Sequence, residues 1–373
     1  ASLIGQFGIG LLSTFVVSEQ VEIITQSSIP NQPAWRWTSH GDKEYVLEKL
    51  ANRSHGSSVS LMATVRESEI QQTSDRVEAG TTVILTLPKE MNEELLLGDT
   101  IRQAIRKYAD FLQFPIYLND ETVPTNAIVP PWSKSYSSTE EKLREHYMFL
   151  DNRFPDAILH VVPVEVNTPL RMYGAVYVSN RRFLDLHSSG AVDIYQNGMF
   201  VQSGNRDLLP QWAKFIQGVI DSPDLTLTLA RDSLQKDAAF IEAQKALGRV
   251  IVDNIKRLAQ QEPEKLQRLL NWHATTIKMM ALAEKDFYEE IANIVPFETN
   301  RGTMDLQTYF QYAQASDDKS GKKCVFYFTE GGSATLYYLL CEEKNIVVIN
   351  ASHPFDEEFL EEYKKRYSVE LQL

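Results

Sequence analysis

"LLPQWAKFIQGVIDSPDLTLTLARDSLQ", residues 208–235, carries the densest run of signals in this 373-residue chain. Pro210 suits the first turn of a helix. Leu209, Trp212, Phe215, Ile216, Val219 and Ile220 recur at spacings that place them on one helix face, so a helix is expected there. Beyond it Leu225, Leu227 and Leu229 alternate, which anchors one side of a loop. Arg231 and Gln235 lie four apart and share a helix face if a helix starts near Ala230. A guanidinium on an anchored loop suits a γ-phosphate presented by another domain. The competing reading is a surface arginine paired with Asp224 or Asp232, a common and weak arrangement.

Working outward, "VEIITQS" (21–27), "AWRWTS" (34–39) and "TTVILTLP" (81–88) are rich in β-branched and aromatic residues and predict strands, with a polar, loop-like stretch at 51–79. An amphipathic helix follows, capped by Asp99 or Thr100, with Ile101, Ala104, Ile105, Tyr108, Phe111 and Leu112 on one face. "FPIYLNDETV" (114–123) suggests a hairpin, and "AIVPPWSKS" (127–135) marks a boundary. "ILHVVPVEV" (158–166) and "RMYGAVYVS" (171–179) are strand-like, and Asn197-Gly198 between two strand-like arms signals a hairpin. Residues 236–295 are helical in pattern. The end alternates strand, helix, strand, helix, strand over 323–373, which implies a small parallel sheet. The fold class is therefore α/β.

Composition narrows the function classes. A hydrophobic fraction of 43% and a charged fraction of 23% are those of a soluble globular protein. The net charge of −13 argues against nucleic-acid partners, which need a basic face. No window reaches the roughly 18 apolar residues of a membrane span, and no secretory leader is expected. Cys324 and Cys341 have neither zinc-site nor redox-motif spacing and suggest buried thiols in a reducing compartment, hence a cytoplasmic location. The seven histidines form no ligand cluster, so no metal site is expected. Ala1 has the look of a cut end.

At the other end of the chain, "IGQFGIGLLSTF" (4–15) places Gly5, Gly8 and Gly10 before a short apolar run. Such glycines let backbone N–H groups approach an anion at a helix start, although a tight turn without a ligand gives the same string. Together with "VSEQVEIIT" (17–25), "GTTVILTL" (80–87), "FPIYLN" (114–119), "PPWSKS" (130–135), "YQNGMFV" (195–201) and above all 208–235, this segment resembles the ninety-kilodalton heat-shock chaperones, the bacterial HtpG group included. The resemblance is specific to about residue 250 and continues beyond it as element order.

The resemblance implies four parts. These are the C-terminal part of a nucleotide-binding domain (1–121, the remnant of an α+β sandwich), the large α/β part of a middle domain (122–250), a helical connector (251–295) and a small α/β part (296–373). It implies ATP with Mg2+, bound through the backbone of Gln6, Gly8, Ile9, Gly10 and Leu11 and through Thr81. Arg231 and Gln235 would act on the γ-phosphate. Arg182, Phe183 and Leu184, in "SNRRFLDLHSS" (179–189), would touch partly folded client proteins, with ordinary loop packing as the alternative. It further implies a homodimer, with the family's catalytic Glu and its C-terminal dimerisation domain lying outside this chain, so the chain alone is expected to be inactive. Leu11-Leu12 replaces the usual Phe-Tyr, and Ala230-Arg231-Asp232 replaces Ser-Arg-Glu. Those departures keep a second reading open, a non-catalytic relative acting as an interaction module. Glu289 and Asn293 have the spacing of the catalytic helix but fall far downstream, where a polar pair on a solvated face is expected.

Overall fold

The computed structural model describes residues 10–29, 31–50, 57–64 (backbone), 79–88, 96–112, 114–126, 129–155, 157–180, 190–228, 232–312, 323–330 and 334–372. The chain divides into two compact units, Ala1–Lys107 with Ile116–Asn126, and Tyr108–Pro115 with Ala127–Leu373.

The first unit opens with α1 (Gly10–Val17). Five strands follow: β1 (Gln20–Gln26), β2 (Ala34–Ser39), β3 (Val46–Leu50), β4 (Ser57–Thr64) and β5 (Ala79–Thr86). Their order is β3-β2-β1-β5-β4, antiparallel throughout except for the parallel β4/β5 pair. The strands picked out by β-branched residues, β1 and β5, are inner ones. The stretch 51–79, expected as loop, contains β4: Val59, Leu61 and Ala63 alternate, but within surroundings too polar to mark a strand. The core here is small, with Val21, Leu85 and Leu87 buried and Phe15 set edge-on to Trp37 at 6.4 Å. α2 (Gly98–Tyr108) carries Asp99 in its first turn and Arg106 and Lys107 in its last, as the helix dipole favours. Arg102 grips Glu121 through two bonds of 2.7 and 3.0 Å. The expected hairpin at 114–123 has no strands. Prolines at 115 and 124 withhold donors, Asn119 turns at φ 52°, and the segment is closed by Thr125 N–H to Ile116 O and Ile116 N–H to Asn126 Oδ1.

In the second unit α3 (Thr139–Arg153) starts at Ser138, whose hydroxyl accepts from Glu141 N–H while the Glu141 carboxylate accepts from Ser137 N–H. Five strands follow, β6 (Ile158–Val166), β7 (Met172–Ser179), β8 (Ala191–Gln196), β9 (Met199–Asn205) and β10 (Ile216–Asp221), in the order β6-β7-β10-β8-β9. The β8–β9 turn is Asn197-Gly198 with φ of 51° and 78°, both positive as a tight hairpin turn requires.

The expected helix over 209–220 is instead a pair of turns followed by β10. Ala213 N–H bonds Pro210 O and Ile216 N–H bonds Ala213 O, and then the chain extends. β10 is flanked by β7 and β8 and buried on both faces: Ile216 and Ile220 join one core while Val219 joins the other. A strand covered on both sides is apolar at nearly every position, and such a run imitates helical spacing. Gly218 at φ 155° belongs to the extended form.

One face of this sheet is covered by α4 (Ala238–Gln261) and α5 (Pro263–Ala283), the other by α3 with Phe111, Trp132 and Phe149. α6 (Lys285–Ile291) follows, and Phe287 stacks on Trp212 at 4.2 Å. β11 (Pro296–Thr299), β12 (Gly302–Asp305), α7 (Leu306–Tyr312), β13 (Cys324–Phe328), α8 (Ala334–Glu343), β14 (Val348–Asn350), α9 (Asp356–Tyr367) and β15 (Glu370–Gln372) complete the chain. β14, β13 and β15 pair in parallel across the α8 and α9 connections, as the alternation predicts, and β11 and β12 add an antiparallel edge. The larger of the two clusters of buried apolar residues in this unit runs from Val162 to Val369 and links the large sheet, the helices and the small sheet.

Two polar pairs stitch α6 to α9. Glu289 accepts from Arg366 at 3.1 Å and Asn293, just past α6, accepts from the Tyr363 hydroxyl at 2.7 Å. Both residues are exposed, as expected of a polar pair on a solvated face, and each in addition makes a tertiary tie. Of the two cysteines Cys324 is buried, whereas Cys341 is half-buried.

Candidate functional site

The loop after β10 is the best-anchored irregular segment near the predicted site. Ser222 donates its hydroxyl to Arg171 O at 2.6 Å. Asp224 takes three bonds from Arg171: main-chain N–H and Nε on one oxygen at 2.7 and 3.1 Å, Nη2 on the other at 2.6 Å. Those bonds hold the Asp224 carboxyl below its usual range. Gln196 donates to Leu225 O at 2.6 Å. Of the alternating leucines Leu225 and Leu227 are buried, as anchoring one side requires, and Leu229 lies outside the described residues; Leu234 is buried too.

Above that base the chain closes on itself. Leu227 and Leu234 form an antiparallel bridge, with Thr228 N–H to Ser233 O at 3.0 Å and Gln235 N–H to Thr226 O at 2.8 Å. Asp232 Oδ1 accepts from the hydroxyls of Thr228 and Ser233, which keep its carboxyl ionised. Asp237 then caps α4 through Phe240 N–H. α4 begins at Ala238, the described residues 232–237 are not helical, and Gln235 sits on the stem of the loop. The residues between favour local hydroxyl and carboxylate bonds over helix. The Gln235 amide donates across the loop to Leu227 O at 2.8 Å. Arg231 lies outside the described residues. Both carboxylates weighed as its partners are engaged: Asp224 by Arg171, Asp232 by two hydroxyls.

Under the loop's root sits Asp221, the last residue of β10. Its Oδ2 accepts from Gly198 N–H at 3.1 Å, and its buried Oδ1 has no partner among the described residues. Burial pushes this carboxyl up to about 6, opposed by the backbone N–H groups of Gly198 and Asn197. A carboxyl whose folded pKa lies above its unfolded value contributes stability at low pH and loses it as pH rises through about 6. Asp221→Asn should therefore raise stability at pH 7.5 by about 1–3 kcal/mol, seen as a higher melting temperature, with the gain shrinking toward pH 4. Melts of both forms at the two pH values check this; an equal difference at both would sink it.

In the first unit Gly10 and Leu11 open α1. A Cβ at Gly10 meets nothing within 4 Å, so the chain's own packing does not demand glycine there and the approach is open. Leu12 and Val16 are strongly exposed. Thr81 lies on β5 in register with Thr25, their hydroxyls 2.9 Å apart, and the Thr25 hydroxyl also reaches Gly80 O at 3.3 Å. With the Thr25 proton on that carbonyl, Thr81 donates to Thr25 and keeps lone pairs for an incoming N–H. Gln6, Gly8, Ile9, Arg182, Phe183 and Leu184 lie outside the described residues. Among the described residues no group of three or more His, Cys, Asp or Glu is placed to hold a metal ion. No helix among them is long and apolar enough to cross a membrane. Sequence reasoning missed Arg171, Gln196 and Asp221.

Comparison with known proteins agrees with this architecture. The chain is 26% identical over 329 residues to "Chaperone protein HtpG" of Roseobacter denitrificans, covering 87% of this chain and 48% of that protein. It is 26% identical over 387 residues to "Chaperone protein HtpG" of Chlorobium phaeovibrioides, covering 98% and 57%. It is 27% identical over 370 residues to "TNF receptor-associated protein 1 homolog, mitochondrial" of Dictyostelium discoideum, covering 96% and 48%. The chain thus spans about half the length of the curated relatives it matches. The family model described as "Hsp90 protein" matches residues 120–367, which hold the whole large sheet, the anchored loop and all of the small sheet except β15. The chain belongs to the Hsp90 family.

Proposed function

We propose that the whole protein is an ATP-dependent chaperone that works as a homodimer in the cytoplasm on partly folded clients, with Arg231 acting on the γ-phosphate. The observation that carries this reading is the loop: its base is fixed by Arg171–Asp224 and the Asp237 cap, and its stem by the Leu227–Leu234 bridge. A braced stem is what positioning a cation against transferring phosphate requires. Gln235 serves as a positioning residue, since its amide closes the stem. The backbone of Gln6, Gly8, Ile9, Gly10 and Leu11 supplies N–H groups to the phosphates, and the Thr81 lone pairs suit the adenine amino group. Mg2+ accompanies ATP, and the described residues offer it no cluster of their own. Arg182, Phe183 and Leu184 contact clients.

The test uses the full-length protein. Arg231→Ala should lower ATP turnover at least tenfold, toward the roughly thousandfold effect of phosphate-directed arginines, while the Kd for ATP changes less than twofold. The melting temperature should move by less than about 1 °C, as for a side chain without buried contacts. A mutant that melts several degrees lower and keeps its turnover makes Arg231 structural and favours the non-catalytic interaction module.

A further inference from the structure

Lys236 follows the loop directly, and its ammonium sits 2.8 Å from Asp207 Oδ2 on the lining of a cavity of about 420 Å³. Arg206 and Lys214 line the same cavity. Arg206, Asp207 and Lys236 are exposed, whereas Leu209, Phe240 and Met280, which share the lining, are buried. The cavity therefore has a charged outer part and an apolar inner part.

Its walls are fixed by bonds that do not involve the charges. The Gln244 amide reaches Asp207 O at 2.7 Å and Leu209 O at 3.3 Å, tying the 206–209 wall to α4. At Gly190, also on the lining, a Cβ would stand 2.2 Å from Ile216 O and 2.6 Å from Ala213 O. The backbone passes there with no room to spare. The volume falls within the roughly 300–1,000 Å³ of small-molecule sites, and an apolar interior with a few convergent polar groups is their usual chemistry. Among the described lining residues the exposed Arg206 and Lys236 stand against the single carboxylate of Asp207, which leaves a local excess of positive charge in a chain of net charge −13. Charge of that sign in a concave site selects anions.

We infer that this cavity binds a small amphipathic anion, its apolar body seated on Leu209, Phe240 and Met280 and its phosphate- or sulfonate-type head group held by Arg206 and Lys236. None of these residues is assigned to the nucleotide, so the site stands or falls independently of ATP binding. Asp207 is the internal competitor: it occupies Lys236 in the empty cavity, and the head group must displace it.

That competition gives the test opposite signs for two neighbouring charges. The chain of residues 1–373 is titrated by calorimetry with 1-naphthyl phosphate, 1-naphthol and inorganic phosphate. Naphthyl phosphate should bind at least tenfold more tightly than either of the others, because each lacks one half of the ligand. Arg206→Gln and Lys236→Gln should each weaken it about threefold to fivefold, the size of an exposed charge interaction, and the double variant by tenfold or more. Asp207→Asn should tighten it severalfold. These side chains are exposed, so unchanged melting curves confirm that the variants fold. No binding up to millimolar concentration, equal affinity for naphthol, equal affinity for inorganic phosphate, or weakening by Asp207→Asn would each overturn the assignment.

Discussion

Gly218→Ala should leave residues 127–373 without their native fold at 37 °C. A Cβ at Gly218 stands 2.3 Å from Ala175 O and 2.6 Å from Val176 Cα, both backbone atoms of the neighbouring strand β7. No rotamer change relieves a clash with backbone. The approach is reciprocal, since a Cβ at Gly174 on β7 would lie 2.2 Å from Val219 O. These two strands run side by side at the centre of the large sheet, with Gly218 opposite Val176 and Gly174 opposite Ile220. A φ of 155° at Gly218 is itself close to glycine-only territory. Relief requires β7 and β10 to part where Ala175, Val176, Val219 and Ile220 are wholly buried, opening both cores together. A cost above about 5 kcal/mol is expected, comparable to the whole stability of many domains. Gly204→Ala is the control. Its Cβ meets nothing within 4 Å, so only the φ of 64° is penalised, at about 1 kcal/mol. Circular dichroism and urea titration separate the cases; a Gly218→Ala protein with a cooperative melt near the parent's would refute the clash.

Lys278→Met should cost about 3–5 kcal/mol. Lys278 on α5 is buried and bonded to Asp356, the first residue of α9, and its ammonium lies 3.8 Å from the Phe297 ring centroid. Burial works against both charges, lowering the lysine and raising the aspartate, and their mutual attraction opposes both shifts. Removing the lysine strands a buried carboxylate whose second oxygen already has no partner among the described residues. That carboxyl then takes up a proton more readily, so the deficit should be larger at pH 8 than at pH 5. The double variant Lys278→Met with Asp356→Leu should recover most of the loss, because the hydrophobic pair strands no charge. Urea melts of the three variants at both pH values decide it; a double variant no more stable than Lys278→Met would show that packing, not charge, sets the cost.

Elements with a local signature were legible from sequence. Asn197-Gly198 encodes its own turn, and the 323–372 alternation encodes parallel pairing, because both follow from neighbours in the chain. The helix expected at 209–220 failed because β10 is buried on two faces, and the only local warnings were Gly218 and the β-branched Ile216, Val219 and Ile220. Of the candidate site, the leucine alternation announced an anchored loop. Its fixing partners did not announce themselves: Arg171 lies 53 residues before Asp224 and Gln196 lies 29 before Leu225, and nothing short-range connects them. Asp221 was equally silent, since its burial depends on a hairpin closed elsewhere in the sheet.

The uninterrupted core from Val162 to Val369 has a mechanical meaning. A body packed at the density of an organic crystal has little internal give, and here the packed cluster spans both sheets. A displacement applied at β15 is therefore passed through packed side chains toward β6.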